Sequence, residues 1–319
     1  MQIGVVREIK DKENRVSLTP EGAKTLSELG HAVRVQTGAG AGSGFNDADF
    51  RVAGAEIVDV SDAWGTELVL KIKEPLPAEY EFLDGQSVFT YFHLAGVDAS
   101  LTDQLLQKQV TAIAYETVED AEGALPLLRP MSAVAGHMAA TIGSYYLAKF
   151  NHGKGILPGT ILDQQYGKVL VIGDGVVGKH ASKAAAALGA QVFICGRHSE
   201  RIAALKQEVS QALSFILSSP DNIRQHIVDA DLVIAAVLVP GARAPSLVTD
   251  EMVREMQPGS VIIDVSIDQG GCVGALIENV GFAKGVNTYR GRLTCEAAAD
   301  ALGLMDRYSP FLELAQTPS

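Results

Sequence analysis

The sequence predicts an α/β fold: two doubly wound, parallel-sheet (Rossmann-like) domains with a cleft between them. Three observations carry this. Apolar strand-like runs alternate with helical segments along both halves of the chain. The apolar run Val169-Leu170-Val171-Ile172 leads into Gly173, Gly175 and Gly178, which stand in G-x-G-x-x-G spacing. A length of 319 residues suits two domains.

The glycine unit is the most informative stretch. An alanine-rich helical segment runs from it to Leu188-Gly189, and a second apolar run follows at 191–195, within the length of a βαβ unit. The first glycine makes the tight turn, the second lets the backbone approach a pyrophosphate, and the third packs helix on strand. The helix that opens at Val176 and Val177 then offers unpaired N–H groups and its positive dipole end to phosphates. Gly173, Gly175, Val176, Val177 and Gly178 are therefore candidate cofactor-binding residues. A tight βα turn without ligand is the competing reading, and the strand before, helix after and strand beyond argue against it.

Composition narrows the function classes. Hydrophobic residues make up 47% and charged residues 20%, which is globular and not disordered. The net charge of −12, with no lysine or arginine cluster, argues against nucleic acid and against an anionic membrane as partners. No apolar run approaches the length of a bilayer span, and Met1 leads straight into a strand-like segment, so a cytoplasmic location is expected. Cys195, Cys272 and Cys295 lie far apart, without metal-ligand spacing; reduced, mostly buried thiols and no bound metal are expected.

In the first half, residues 2–9 read as a strand. Thr19-Pro20 opens a helix, with Thr as N-cap and Pro at the first helical position, ending near Gly30. Residues 31–36 alternate as a strand. The glycine run at 38–44 reads as a loop, because Phe45-Asn46-Asp47 follow where a phosphate-binding helix would have to start. A short helix at 50–53 and strands at 55–58, 68–72, 87–94 and 110–116 complete the pattern. Lys71 and Lys73, two apart, fall on one face of their strand. Lys73 and His93 stand at strand carboxyl ends, where open parallel sheets collect their ligands.

In the second half, 129–152 reads as one long helix rich in small residues, packed on both sides and linking the domains. A loop at 153–167 precedes the glycine unit. Helices at 199–209 and 251–256 and strands at 230–239 and 260–265 follow. The last strand runs into Ser266-Ile267-Asp268-Gln269-Gly270-Gly271, placing the Asp268 carboxylate at a strand end beside glycines.

These residues resemble the alanine dehydrogenase family, which includes the NAD-binding domain of proton-translocating transhydrogenase. The resemblance is carried by Glu13-Asn14-Arg15-Val16 with Leu18-Thr19-Pro20, Lys71-Ile72-Lys73-Glu74-Pro75, Phe92-His93-Leu94-Ala95, Ala114-Tyr115-Glu116-Thr117, Pro130-Met131-Ser132, Val237-Leu238-Val239-Pro240-Gly241-Ala242 and Ile267-Asp268-Gln269-Gly270-Gly271, in the family's order. It implies reversible oxidative deamination of L-alanine to pyruvate and ammonia with NAD. It further implies that Arg15 and Lys73 hold the substrate, that His93 is the acid/base group, that Asp268 is a second catalytic residue, and that Ser132, Val237 and Leu238 touch the cofactor. A homo-oligomer, hexameric in many members, is implied as well. The chemistry agrees. A forked guanidinium suits a carboxylate, a lysine can polarise a carbonyl or imine, and imidazole suits proton transfer near neutral pH. Taken alone, Arg15 also reads as a solvated loop cation, Lys71 as a solvated or ion-paired strand lysine, His93 as a core histidine, and Asp268 as a turn cap.

The chain departs from the family in three places. The second strand of the glycine unit ends in Gly196, not in the acidic residue that takes the ribose 2′-OH, and Arg197 follows. NADP is therefore expected alongside, or in place of, NAD, with Arg197 as a cofactor-binding residue. After Cys272 the chain lacks a long segment that the family places there, containing Asn-Met-Pro-Gly-Ala-Val-Pro. That absence raises an alternative: a dinucleotide-binding paralogue, catalytically impaired, with a regulatory or sensing role. A transhydrogenase subunit is a weaker reading, for want of a membrane segment. Ala133, His137 and the loop at 157–165 also differ from the family pattern, and His137 reads as a packing or capping residue. The resulting domain assignment is 1–128 with 274–319 for substrate and 129–273 for dinucleotide.

Overall fold

A computed structural model describes residues 1–239, 241–274 and 287–288. They fall into two compact units, Met1–Met131 and the described part of Ser132–Ala298. The expected return of 274–319 to the first domain lies outside the described residues.

The first unit contains β1 (Gln2–Val5), α1 (Pro20–Glu28), β2 (Ala32–Gln36), α2 (Asp47–Val52), β3 (Glu56–Val58), α3 (Val60–Trp64), β4 (Leu68–Lys73), β5 (Ser87–Tyr91), α4 (Ala99–Gln107) and β6 (Thr111–Ala114). Its six-stranded sheet runs in the order β3-β2-β1-β4-β5-β6, with parallel pairs throughout. The chain turns back on itself between β1 and β4, the doubly wound arrangement. Successive residues of β4 show why both faces are covered. Leu70 joins one apolar cluster with Ile3, Val35 and Phe50, and Val69 joins another with Trp64, Val88 and Leu101. The expected N-cap is present: the Thr19 hydroxyl accepts the Gly22 N–H at 3.2 Å, with Pro20 opening α1. The first strand is shorter than residues 2–9. Helix α3 escapes the sequence reading because it is a single turn capped by Asp59.

Helix α5 (Arg129–Tyr146) spans the division between the units. The stretch expected as a loop at 153–167 holds a hairpin, β7 (Gly159–Ile161) with β8 (Gln164–Tyr166). Then come β9 (Lys168–Ile172), α6 (Val176–Ala187), β10 (Gln191–Gly196), α7 (Ile202–Glu208), β11 (Ser214–Leu217), α8 (Pro220–Ile227), β12 (Leu232–Ala235), α9 (Asp250–Glu255), β13 (Val261–Asp264) and β14 (Asn287–Thr288). The main sheet is ordered β11-β10-β9-β12-β13-β14, again with parallel pairs and a reversal between β9 and β12. Along β9, Val169 and Val171 enter one cluster and Leu170 and Ile172 the opposite one.

The small residues of α5 serve close helix packing. A Cβ on Gly136 would stand 2.3 Å from the Val177 carbonyl oxygen of α6, and one on Gly143 would stand 2.4 Å from Leu232. Cys195 and Cys272 are buried free thiols. Cys295 lies outside the described residues. Among the described residues no helix is long and apolar enough to cross a membrane.

Candidate functional site

In the first unit the candidate side chains follow neighbouring strands at the carboxyl edge of the sheet, around the reversal between β1 and β4. Arg15 lies in the connection after β1, Lys73 ends β4, and His93 lies two residues past β5. Arg15 is only 4% exposed, so it is no solvated loop cation. Its Nε donates to Glu13 Oε1 at 2.7 Å, Nη2 donates to Glu13 Oε2, and Nη1 reaches Met131 Sδ at 3.3 Å. This bidentate grip fixes the guanidinium plane.

Lys73 is 3% exposed. Its carbonyl accepts the Thr90 hydroxyl at 2.8 Å, and its N–H points to Glu8 Oε1 at 3.4 Å. The ladder between β4 and β5 slips between Leu70 and Lys73, so two-residue spacing does not by itself put Lys71 and Lys73 on one face. Lys71 is fully buried. Its Nζ lies 3.1 Å from Glu8 Oε2 and 2.7 Å from Glu79 Oε1, above the Trp64 ring. The ion-paired reading of Lys71 holds, and the solvated one does not. Burial pushes the Glu8 carboxyl above the ordinary range, against the pull of Lys71 and the Ile72 N–H. Burial draws the Lys71 ammonium down, but Glu8 and Glu79 together more than offset it, and the net shift is upward.

His93 is not in a strand. β5 ends at Tyr91, and His93 takes φ +47°, a left-handed conformation that costs a non-glycine residue about 1–2 kcal/mol. Its N–H donates to Glu116 Oε1 at 2.7 Å, and its ring stacks on Tyr91, centroids 5.9 Å apart and planes within 7°. Its Nδ1 stands 3.9 Å from Glu116 Oε1, and neither it nor the buried Glu116 Oε2 has a hydrogen-bond partner among the described residues. A strained backbone, a stacked ring and an adjacent carboxylate hold the imidazole in a defined orientation. Glu8, Glu13 and Glu116 do not emerge from sequence reasoning as site residues. Glu116, two residues past β6 at the ligand-collecting edge, carried a positional signal; Glu8 and Glu13 lie in the connection after β1, and no local pattern marks them.

In the second unit the candidates follow β9, β10, β12 and β13 at the corresponding edge. The three glycines divide their work as expected. Gly173 has φ +121°, and a Cβ there would stand 2.4 Å from the Ala236 carbonyl oxygen. A Cβ on Gly178 would stand 1.8 Å from the Gly173 carbonyl oxygen, so α6 packs directly on the loop. Among the described residues, a Cβ on Gly175 would meet nothing within 4 Å. The sole open direction thus lies at the glycine where pyrophosphate approach is needed, beside an α6 N-terminus that carries no side-chain cap. These residues fit a dinucleotide.

Val237 and Leu238 follow β12, and the Val237 carbonyl accepts the Ser266 hydroxyl at 2.8 Å. Ser132 lies in the first turn of α5, half-buried. The Asp264 carboxylate, ending β13, accepts the N–H groups of Ser266, Cys272 and Val273 at 2.9, 2.8 and 3.1 Å, which holds the turn from 266 to 273. The backbone of Asp268 sits in that turn. Its side chain is outside the described part. His137 is exposed on α5, its ring 5.4 Å from that of His180.

As expected, β10 ends in Gly196, and the Asp174 carboxylate, from between the first two glycines, stands against that strand end. Its Oδ2 accepts the His198 N–H at 3.1 Å and lies 2.9 Å from His198 Nδ1. A Cβ on Gly196 would stand 2.6 Å from the Asp174 Cγ. Arg197 is exposed beside this pair. The signal that could have found Asp174 was the pairing itself: an acid within the glycine loop and a glycine where an acid belongs.

Comparison with known proteins matches residues 4–135 to the alanine dehydrogenase/PNT N-terminal domain family and residues 139–289 to its C-terminal domain family. The chain is similar to the alanine dehydrogenase of Bacillus subtilis (strain 168), 52% identical over 275 residues, which is 86% of this chain and 72% of that protein. In structure it is similar to an L-alanine dehydrogenase (TM-score 0.82, 42% identity, covering 99% of this chain and 90% of the other). It also resembles the transhydrogenase from Sinorhizobium meliloti (TM-score 0.75, 27% identity, covering 99% and 94%).

Proposed function

The chain belongs to the alanine dehydrogenase/PNT family, and on that premise we propose that it is an amino-acid dehydrogenase interconverting L-alanine with pyruvate and ammonia, with NAD(P) as hydride acceptor. In the oxidative direction, L-alanine, water and the oxidised dinucleotide yield pyruvate, ammonium, the reduced dinucleotide and a proton. The observation that carries this is an identity with alanine dehydrogenases that runs through both units.

When bound, the oxidised nicotinamide accepts the hydride that leaves the alanine Cα. The chain's own residues do the rest. Arg15, its plane fixed by Glu13, holds the substrate carboxylate. Lys73 polarises the imine, and in reverse the carbonyl, with a nearby positive charge. His93 takes the proton of the attacking water and returns one to the departing amine. Asp268 aligns that water or the imidazole. The glycine loop, Ser132, Val237 and Leu238 seat the dinucleotide. The division of labour we infer is substrate on 1–128 and dinucleotide on 129–273. The same reading extends to a homo-oligomer of hexameric type, acting in the cytoplasm.

The test is consumption of NADH or NADPH by the purified chain given pyruvate and ammonium. Turnover that needs both is expected. Tight dinucleotide binding with no turnover overturns the enzyme reading in favour of a binding paralogue. Light scattering of the native protein tests the oligomer.

A further inference from the structure

We propose that Asp174 is this chain's reader of the adenosine ribose, standing in for the acidic residue that usually ends the second strand, and that it selects NAD(H) against NADP(H). The proposal rests on the dinucleotide reading above and deepens it.

Four observations meet at this point. In a dinucleotide-binding βαβ unit the 2′-OH of the adenosine ribose is taken by a carboxylate at the end of the second strand. Here that strand, β10, ends in Gly196, which has no side chain to offer. The space in which a side chain at 196 would begin is filled from the other direction. A Cβ built there would lie 2.6 Å from both Cβ and Cγ of Asp174 and 2.7 Å from its Oδ2. A carboxylate can therefore come from position 174 or from position 196, but not from both with the loop as it stands. Finally, Asp174 is held in place. Both the N–H and the ring Nδ1 of His198 meet its Oδ2, at 3.1 and 2.9 Å, and the side chain is only 9% exposed. With Oδ2 engaged by His198, Oδ1 is the oxygen for a ribose hydroxyl.

The chemistry decides the selectivity. A carboxylate accepts a hydrogen bond from the 2′-OH of NAD. Against the 2′-phosphate of NADP it places like charge on like charge in a half-buried position, which is discrimination by repulsion. The exposed Arg197 beside it would favour a 2′-phosphate, but the carboxylate is the group held at the strand end, by His198 and against Gly196. Cofactor choice is thus set by the middle residue of the first G-x-G.

The first experiment needs no variant and no turnover. Calorimetry of the native chain with ADP and with 2′,5′-ADP reads the ribose site alone. Tighter binding of ADP, by about tenfold or more, is expected. Equal binding, or tighter 2′,5′-ADP, overturns the proposal and leaves the dehydrogenase reading intact. Failure of both fragments and of NADH to bind overturns the two together. The second experiment exploits the mutual exclusion. D174G removes the preference, shifting the NADH:NADPH ratio of Kd values by about tenfold toward NADPH, and D174G/G196D restores it, because the new side chain enters the space vacated by the old. Selectivity unchanged in D174G, or not restored in the double variant, sinks the assignment.

Discussion

The two sheets of this chain are built to one plan and used in two ways. Each runs in the order three-two-one-four-five-six, each reverses beside its first strand, and each places its candidate groups just beyond that reversal. In the second unit the candidate binding atoms are main-chain ones: glycines at 173, 175 and 178, and the uncapped N–H groups that open α6. In the first unit they are charged side chains, Arg15 and Lys73, with His93, and these come with a buried retinue of Glu8, Glu13, Lys71, Glu79 and Glu116. A backbone site needs only steric clearance. A side-chain site at the same sheet edge needs partners to neutralise and orient it, because an unpaired buried charge is costly.

Variants that strike one unit and spare the other test this contrast. H93A should lower kcat/KM by a factor of about 10²–10⁴ as proton transfer is lost, with the Kd for NADH unchanged; steady-state kinetics beside fluorescence titration checks both. Full activity would remove His93 from the site. K71M strands Glu8 and Glu79 as buried carboxylates and should cost about 3–5 kcal/mol in urea unfolding, part of it recovered by adding E8Q. An unshifted midpoint would mean that the charge network carries no weight. G178A drives a methyl into the Gly173 carbonyl, 1.8 Å away, and should cost about 1–3 kcal/mol together with NADH affinity. Here the loss belongs to the second unit.

Two smaller effects follow from burial. Glu8 binds its proton more tightly folded than unfolded. Its contribution to stability is therefore full below the ordinary value of 4.5 and is lost as pH rises through the raised folded value. Unfolding free energy plotted against pH should show that fall, and E8Q should flatten it. Burial, with Asp264 beside it, pushes the Cys272 thiol up to about 12 from 9.0. Its alkylation in the native state at neutral pH should be suppressed about a thousandfold, read by peptide mass mapping, and should recover in urea.

The contrast also explains what the sequence could disclose. The glycine loop was legible from its spacing together with the strand–helix–strand around it, because steric rules at Gly173 and Gly178 leave no other residue type a place. The strand pattern was legible because both faces of each sheet are covered, which fills β9 and β12 with continuous apolar runs and opens β4 with Leu68-Val69-Leu70. Arg15 was legible only through resemblance, and His93, though marked by its place at a strand end, took its acid/base role from resemblance, since a lone basic residue after a strand has many uses. Glu8, Lys71 and Glu79 were not legible as a group. Their contact joins the first strand edge, β4 and the turn after it, and no local pattern reports a charge closed over by distant chain. Asp174 drew no notice in the sequence because the usual rule names a position in the chain, whereas its carboxylate meets the end of β10 only in space.

The close seating of α5 on α6 has its own consequence. With 2.3 Å between a would-be Gly136 Cβ and the Val177 carbonyl, the helix that begins at the phosphate loop has no slack toward its neighbour. A methyl added at 136 would lever α6 outward and disturb the proposed phosphate cradle at its tip. Sequence drift on the hidden side of that helix pair is therefore as constrained as drift in the loop itself, and engineering of cofactor affinity can begin from behind the site.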